Sequence, residues 1–321
     1  MRILVTGGAG FIGSHLCERL VNDGHSVTAI DNFSTGCASN LANLAGKDGF
    51  TLIEGSILDT NQLHPLIEDS EYIFHLAAAV GVFNIVKNSL ASLLTNIRGT
   101  ENILELAHLT NTPVFLTSSS EVYGKNISDS LKESDDRILG SPITLRWSYS
   151  EAKAIDESLA YAYFVEKHLE TRIVRFFNTV GPRQLGAYGM VVPRFIKSAL
   201  VNEPITIYGD GNQTRCFAHV YDVIDAVIAI AFADNTIGKV INIGNDFEIS
   251  INGLAQRIIT ETGSKSEIVY VPYEEAYGDG FEDMERRVPN IELINQLVGW
   301  KPKRDLKTMI SDISEEMTRN S

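Results

Sequence analysis

The sequence contains little cysteine and no long hydrophobic run. Its 321 residues include three cysteines, Cys17, Cys37 and Cys216, without a CxxC pair. Such an odd, scattered set is not expected to form a disulfide framework or a zinc site, and free thiols fit a reducing cytoplasm. No stretch reaches the roughly 18 apolar residues that a membrane-spanning helix needs, and the first residues do not resemble a signal peptide. We therefore expect a cytoplasmic protein without a membrane partner.

Positive charge is also scarce. The chain has 27 Lys and Arg against 41 Asp and Glu, which gives a formal net charge of −14. Because duplex binding depends on neutralising phosphates with Lys and Arg, a nucleic-acid partner is not expected. The seven histidines show no HxxxH or HExxH spacing, so a metal site is not expected either. What is present, 44% hydrophobic and 21% charged residues, is typical of a folded globular protein.

Short apolar segments alternate with helical patterns through the first half of the chain. The predicted strands are 3–5, 26–30, 72–76, 113–117 and 171–176, and the predicted helices are 11–23, 95–109, 150–168 and 219–232. Strands that are apolar on both faces and separated by helices indicate a parallel sheet covered on both sides. The sequence therefore predicts a doubly wound α/β fold of the Rossmann type.

The pattern changes after Asn178, where glycine and proline divide the chain into shorter pieces. We predict that residues 1–177 and 217–245 form a dinucleotide-binding domain. Residues 178–216 and 246–321 are predicted to form a smaller α/β lobe that binds the substrate.

A glycine-rich turn follows the first predicted strand. It has the form Gly7-x-x-Gly10-x-x-Gly13 and opens the first helix, whose free N–H groups and dipole attract phosphates. Asp31 ends the second strand 18 residues after Gly13, a spacing that places a carboxylate on the ribose hydroxyls of NAD and disfavours NADP. The sequence therefore predicts NAD as cofactor. Further expected cofactor contacts are Phe11, Ile12, Asn32, Ser56, Ile57, Leu76, Ala77, Ala78 and Asn96.

Tyr149 and Lys153 lie four residues apart on one face of a predicted helix. An ammonium group and a positively charged nicotinamide both stabilise a phenolate, so we expect a lowered pKa for Tyr149 and a role as general base. The pattern alone is common on helices. Here it follows a nucleotide motif and a hydroxyl-rich strand end, residues 117–120.

Taken together, these motifs resemble the extended short-chain dehydrogenase/reductases that modify nucleotide sugars. The resemblance covers essentially the whole chain, because HLAA at 75–78, RFFN at 175–178, GPR at 181–183 and QTR at 213–215 follow in the family's order. It implies that Tyr149 is the catalytic base, that Lys153 binds the nicotinamide ribose, and that Ser119 or Ser120 bonds the sugar. It also implies a UDP-sugar substrate, contacted by Asn178, Val192 and Arg215, and a homodimer formed by helices near 95–109 and 150–168.

Two features narrow the resemblance to UDP-glucuronate decarboxylases. Glu121 occupies the position of an acid that these enzymes share with 4,6-dehydratases, whereas the dehydratases' preceding Asp is Ser120 here. The segment 277–290 and Gly299-Trp300-Lys301-Pro302 resemble the decarboxylases, whose Arg at the position of Arg287 reaches the sugar carboxylate. In this interpretation, oxidation at C4 yields a β-keto acid that loses CO₂. Glu121 either destabilises the bound carboxylate or later gives a proton to C5.

Other functions stay open. Met190 stands where the decarboxylases carry Arg, so a UDP-sugar 4-epimerase is the main alternative; Glu121 would then bond backbone amides and Arg287 would pair with Asp283 or Glu285. A non-catalytic NAD-binding sensor is a third hypothesis. The product, whether UDP-xylose, a 4-keto-pentose or UDP-galacturonate, is not determined.

Several side chains are expected to be structural. His75 should be hydrogen-bonded within its strand, and Glu157 should lie on a solvated helix face. Five apolar residues are expected to form either internal core or the dimer surface: Ile97, Ile103, Leu104, Ile155 and Leu159.

Overall fold

The computed structural model describes residues 1–80, 88–186, 190–272, 275, 284 and 286–319. Its centre is a sheet of seven strands that pair in parallel throughout. The strands, numbered in chain order, are β1 (Arg2–Thr6), β2 (Ser26–Asp31), β3 (Phe50–Glu54), β4 (Tyr72–His75), β5 (Val114–Ser119), β6 (Thr171–Phe176) and β11 (Val240–Ile243). Their order across the sheet is β11, β6, β5, β4, β1, β2, β3.

Helices cover both faces of this sheet. On one face lie α1 (Phe11–Asn22) and α6 (Val220–Ala231), and on the other α2 (Thr60–Glu68), α3 (Ser89–Thr110) and α4 (Ser148–Lys167). Successive side chains of β1 alternate between the two cores, since Ile3 and Val5 belong to the first and Leu4 to the second. The prediction of a doubly wound parallel sheet is therefore confirmed.

Some boundaries differ from the predicted ones. α3 begins at Ser89, six residues before the predicted start at 95, and α4 begins at Ser148, directly after a 3-10 turn at Leu145–Trp147. Neither β3 nor α2 was predicted. β3 forms the edge of the sheet, and none of its five side chains is fully buried, so it lacks the continuous apolar pattern of the inner strands.

A smaller group of elements lies beyond the carboxyl edge of the sheet. A third core joins α5 (Val191–Leu200), α7 (Ile251–Thr262) and α9 (Leu306–Arg319). The short strands pair two by two: β7 (Thr179–Val180) with β10 (Ala218–His219), β8 (Ile205–Tyr208) with β13 (Ile268–Val271), and β9 (Thr214–Cys216) with β12 (Glu248–Ser250). In contrast, α8 (Glu292–Val298) packs against the first core of the sheet through Ile294, and Trp300 joins it there.

No helix in the described part of the chain combines the length and the apolar character that crossing a membrane requires.

Candidate active site

The turn between β1 and α1 fits a dinucleotide pyrophosphate. Gly7 has a φ of +69°, and a Cβ atom there would lie 2.7 Å from the amide nitrogen of Ala77. A Cβ atom on Gly13 would lie 2.1 Å from the carbonyl oxygen of Gly7. No described side chain caps the amino end of α1 at Gly10. The backbone therefore leaves room and free N–H donors for phosphate oxygens.

Asp31 is held rigidly at the end of β2. Its Oδ2 accepts a hydrogen bond from the amide of Ala9 at 2.9 Å, and its Oδ1 accepts one from the amide of Phe33 at 2.8 Å. The carboxylate thus lies in the wall of the cavity that begins at the glycine turn. This placement suits recognition of a ribose hydroxyl pair.

One large cavity, of about 730 Å³, extends from the glycine turn to β8 and β9. Its described wall carries two acidic side chains, Asp31 and Glu121. Against them stand six cationic ones, Arg146, Lys153, Arg183, Arg194, Arg215 and Arg287. A chain with a net charge of −14 therefore concentrates positive charge here, as a site for phosphorylated, anionic ligands requires.

Most of the predicted site residues meet in this cavity. Its wall includes Gly7, Gly10, Phe11, Ile12, Gly13, Asp31, Asn32, Ile57, Leu76, Ala77, Ala78, Ser119, Ser120, Glu121, Tyr149, Lys153, Asn178, Val192, Arg215 and Arg287. Ser56 and Asn96 are not brought to the described wall. The Ser56 hydroxyl accepts a hydrogen bond from the Leu58 amide. The Asn96 side chain accepts a hydrogen bond from the Ala79 N–H and donates one to the Ala79 carbonyl, so it supports the loop after β4 without lining the cavity.

Tyr149 and Lys153 both face the cavity from α4. Burial raises the pKa of Tyr149, the negative charges of Glu121 and Asp156 raise it further, and a hydrogen bond with the Ser119 side chain opposes them. The Lys153 ammonium lies 3.2 Å from Asp156 Oδ2. In the protein without its cofactor the pKa of Tyr149 is therefore raised. The lowered pKa expected beside Lys153 and a positively charged nicotinamide stays a prediction for the NAD complex.

Glu121 lies between two arginines in the turn that follows β5. Its Oε2 accepts a 2.6 Å hydrogen bond from Arg146, and its Oε1 accepts one of 2.6 Å from Arg287. Arg287 also donates to Asn178 Oδ1 at 2.9 Å. Burial opposes ionisation of Glu121, but the two guanidinium charges outweigh it and lower the pKa of Glu121 to about 2. The group therefore carries one net positive charge.

This arrangement differs from the structural alternative considered for Glu121 and Arg287. The Glu121 carboxylate accepts hydrogen bonds from Arg146 and Arg287 where the alternative had it bonded to backbone amides. Asp283 and Glu285, the partners considered for Arg287, lie outside the described residues, as do residues 277–282.

Three of the six cationic side chains in the wall were not predicted as site residues: Arg146, Arg183 and Arg194. Arg183 was named only as part of the GPR match, and Arg146 stands three residues before Tyr149. Arg194 stands four residues, about one helical turn, after Met190, the amino-terminal cap of α5. Its guanidinium stacks 4.4 Å from the centre of the Tyr208 ring in the same cavity wall. The helical spacing from Met190 was the available signal.

The predictions for the two side chains expected to be structural, His75 and Glu157, had different outcomes. His75 is hydrogen-bonded as expected, with Nδ1 2.7 Å from Thr6 Oγ1 and Nε2 3.2 Å from Thr100 Oγ1. The expectation for Glu157 is wrong: its carboxylate is buried and accepts two hydrogen bonds from Arg175, at 2.7 and 2.9 Å. Helical periodicity alone could not show that β6 presents Arg175 to this face. No cluster of metal-ligating side chains occurs in the described ranges.

The sheet order, the glycine turn with Asp31, and the paired Tyr149 and Lys153 define a nucleotide-cofactor enzyme of the extended short-chain dehydrogenase/reductase class. A sequence model described as the NAD dependent epimerase/dehydratase family matches residues 3–244. The chain belongs to this family, and its cofactor is NAD. The predictions of an enzyme and of NAD are thereby confirmed, and the hypothesis of a non-catalytic sensor is not supported.

Individual relatives carry more specific names. A UDP-N-acetyl-alpha-D-glucosaminuronate decarboxylase of Bacillus cytotoxicus is 43% identical over 302 residues, which cover 94% of this chain and 92% of that protein. UDP-glucuronic acid decarboxylase 1 of Xenopus tropicalis is 37% identical over 303 residues, covering 94% and 68%. The crystal structure of a UDP-glucuronic acid 4-epimerase from Bacillus cereus, in complex with UDP-glucuronic acid and NAD, aligns with a TM-score of 0.90 at 30% identity and covers 100% of both chains.

The buried Glu157–Arg175 pair leads to a stability prediction. Glu157→Gln leaves Arg175 with an uncompensated buried charge, so we expect the free energy of unfolding to fall by about 3 kcal/mol. The matched control is Glu151→Gln on the same helix, which breaks a half-exposed 3.3 Å pair with Arg137 and should cost less than about 1 kcal/mol. Urea denaturation followed by circular dichroism measures both, and equal losses would contradict the buried role of Glu157.

Proposed function

We propose that this chain is an NAD-dependent decarboxylase of a UDP-linked hexuronate. The observation that carries the proposal is the Arg146–Glu121–Arg287 group beside Tyr149. Two guanidinium groups share one carboxylate that stays ionised, so these three side chains together carry one net positive charge. Guanidinium groups bind carboxylates through strong, charge-assisted hydrogen bonds, so this group favours a sugar that carries a carboxylate over a neutral hexose.

The reaction begins when Tyr149, ionised beside the bound cofactor, takes the proton of the C4 hydroxyl as a phenolate. NAD, when bound, supplies the acceptor for the C4 hydride and later returns it. The new C4 ketone is β to the C6 carboxylate, so the C5–C6 bond can break, CO₂ departs, and the electron pair moves into the ketone as an enolate. A proton added at C5 completes a 4-keto-pentose, which reduction at C4 converts to a UDP-pentose. The protein's contribution is orientation and charge stabilisation.

The low pKa of Glu121 argues against one of the two roles considered for it. A carboxyl group with a pKa of about 2 holds no proton near neutral pH, so it is a poor proton donor to C5. We propose a further role, in which its negative charge holds Arg146 and Arg287 at fixed positions. Arg287 would then meet the sugar carboxylate, and Ser119 and Ser120, in the same wall as Tyr149, would bind sugar hydroxyls.

The far end of the cavity suits the UDP diphosphate. Arg215, on β9, and Arg194, on α5, line it together with Val192, while Asn178, bonded to Arg287, lies nearer the reacting end. Arg194 offers the cationic group that Met190 lacks, which removes the main sequence argument against a decarboxylase. The relatives named above act on uronates with either a hydroxyl or an acetamido group at C2, and we propose a substrate from this pair.

The decisive experiment measures CO₂. The purified chain with NAD is incubated with UDP-glucuronate and, separately, with UDP-N-acetylglucosaminuronate, each labelled at C6. We expect labelled CO₂ from at least one of them. A C4 epimer of unchanged mass, without CO₂, would instead establish the 4-epimerase alternative, which shares the oxidation at C4.

Arg287→Ala tests the residue that meets the carboxylate. We expect CO₂ release to fall by roughly 100-fold or more, with NAD still bound, because a charged group that aligns the leaving carboxylate is lost. Arg286→Ala is the matched control: its side chain is 40% exposed, pairs with Glu248, and is absent from the described cavity wall. Undiminished release from Arg287→Ala would remove this residue from the mechanism.

Tyr149→Phe tests the base. Removing the phenol oxygen should reduce both CO₂ release and any transient NADH absorbance by about 1,000-fold, since both need the C4 hydroxyl proton to leave. Tyr161→Phe, on the exposed side of the same helix, should behave as the unmodified protein. Full turnover by Tyr149→Phe would require a different base.

We also infer that two copies associate through α3 and α4. The five apolar residues considered for this surface divide. Ile103 and Leu104 are fully buried in the core, Ile97 and Leu159 are partly buried, and Ile155 is 41% exposed on the outer side of α4. Tyr161 and Val165 extend this exposed face of the helix. Ile155→Glu should therefore shift the mass measured by light scattering toward the monomer. Ile127→Glu, at a side chain 92% exposed in a loop, should not, and identical masses for both variants would refute this interface.

A cytoplasmic location is a further inference. All three cysteines are free, Cys17 and Cys216 buried and Cys37 exposed, which suits a reducing compartment.

A further inference from the structure

Lys153 has a buried anionic partner that stands behind it. Its Nζ lies 3.2 Å from Asp156 Oδ2, and the two side chains are 3% and 0% exposed. Lys153 forms part of the described cavity wall, whereas Asp156 does not. Taking both charges out of water is costly unless further hydrogen bonds support the pair. The surroundings of Asp156 are therefore informative.

A chain of hydrogen bonds leads from Thr100, on α3, back to the nucleotide turn. Burial raises the pKa of Asp156, and Lys153 and then the neighbouring Thr100 side chain oppose this shift. The Thr100 hydroxyl lies 3.2 Å from His75 Nε2. His75 Nδ1 lies 2.7 Å from Thr6 Oγ1, at the end of β1. Thr6 Oγ1 in turn accepts the amide N–H of Ala77 at 3.2 Å, in the wall of the cofactor cavity. Thr6, His75 and Thr100 are all buried.

The donors in this chain can all point the same way. With the Ala77 amide donating to Thr6, the Thr6 hydroxyl donates to His75 Nδ1, and His75 Nε2–H donates to the Thr100 hydroxyl. This order needs a neutral His75. Burial, followed by the nearby charge of Lys153, lowers the pKa of His75 to about 3, so the ring is neutral at working pH.

From this geometry we propose that Asp156 is a positioning residue for catalysis: it anchors the Lys153 ammonium at the cavity wall, and its charge sets the pH at which Tyr149 acts as a base. Asp156 acts only through neighbours, because it does not reach the described cavity wall. The proposal rests on the role of Tyr149 in the proposed function.

The charges around Tyr149 fix the sign of the effect. On α4 these are Lys153, Asp156 and Glu157, on the turn after β5 Glu121 with its two arginines, and on β4 the neutral His75. After burial, Glu121 and Asp156 raise the pKa of Tyr149. Removing the Asp156 charge therefore makes the phenolate easier to form, and the acidic limb of the pH–rate profile moves to lower pH.

The test compares Asp156→Asn with the unmodified holoenzyme by two readouts. One is the pH dependence of kcat; the other is near-ultraviolet tyrosinate absorbance, with Tyr149→Phe subtracted as background. We expect both midpoints to move to lower pH and the dissociation constant for NAD to rise several-fold, since Lys153 loses its anchor. Asp156→Glu, which restores the charge, should return both midpoints toward those of the unmodified protein.

A matched control separates this role from simple stabilisation. Asp222, on α6, is likewise buried and pairs with Arg304 at 2.5 Å, outside the described cavity wall. Asp222→Asn should lower stability and leave both midpoints unchanged. If Asp156→Asn behaves the same way, with stability lost and midpoints fixed, the proposal is overturned. Asp156→Ser gives the same comparison if Asp156→Asn does not fold.

Failure of the proposed function would look different. Absence of CO₂ from every UDP-uronate overturns the decarboxylase assignment, but tyrosinate absorbance and NAD affinity need no sugar substrate. An unchanged tyrosinate midpoint together with an unchanged dissociation constant for NAD would reject the role of Asp156 even in an active decarboxylase.

Discussion

Every part of the site depends on the parallel pairing of the central sheet, because parallel strands deliver their following loops to one edge. β1 ends in the glycine turn, β2 in Asp31, β4 in the 75–78 segment, β5 in Ser119 and Glu121, and β6 precedes Asn178. Residues that are far apart in sequence therefore share one cavity wall. An antiparallel arrangement of the same strands would send half of these groups to the opposite edge.

The second constraint is the treatment of charge inside that cavity. Each buried acid near the reacting end is tied to a cation, but the numbers differ: Glu121 has two guanidinium partners and Asp156 one ammonium. The first group is left positive and the second neutral. Positive charge is thus available where an anionic substrate would bind. Lys153, in contrast, is held in place by Asp156, and this pair has no net charge.

The sequence predicted those features of the site whose residues lie close together along the chain. Gly7, Gly10 and Gly13, Asp31, and the Tyr149–Lys153 spacing each act through one local segment, so their placement followed once the strands were recognised. The pairing of Glu121 with Arg287 joins positions 166 residues apart, and no local pattern specifies it. The prediction of a solvated Glu157 failed for the same reason, because its burial depends on Arg175 from the strand that faces the helix. The edge strand β3 was missed since a half-exposed strand lacks the buried pattern.

These charges also explain how a tyrosine can be kept inactive until it is needed. Burial, followed by the charges of Glu121 and Asp156, raises the pKa of Tyr149 in the protein without its cofactor. A positive charge brought beside the phenol would act against both carboxylates, and it would do so in a buried site where charges interact more strongly than in water. The base strength proposed for Tyr149 would then be coupled to occupancy of the cofactor site. The buried chain from Ala77 to Thr100 ties the nucleotide turn to α3, which packs beside the helix that carries Tyr149.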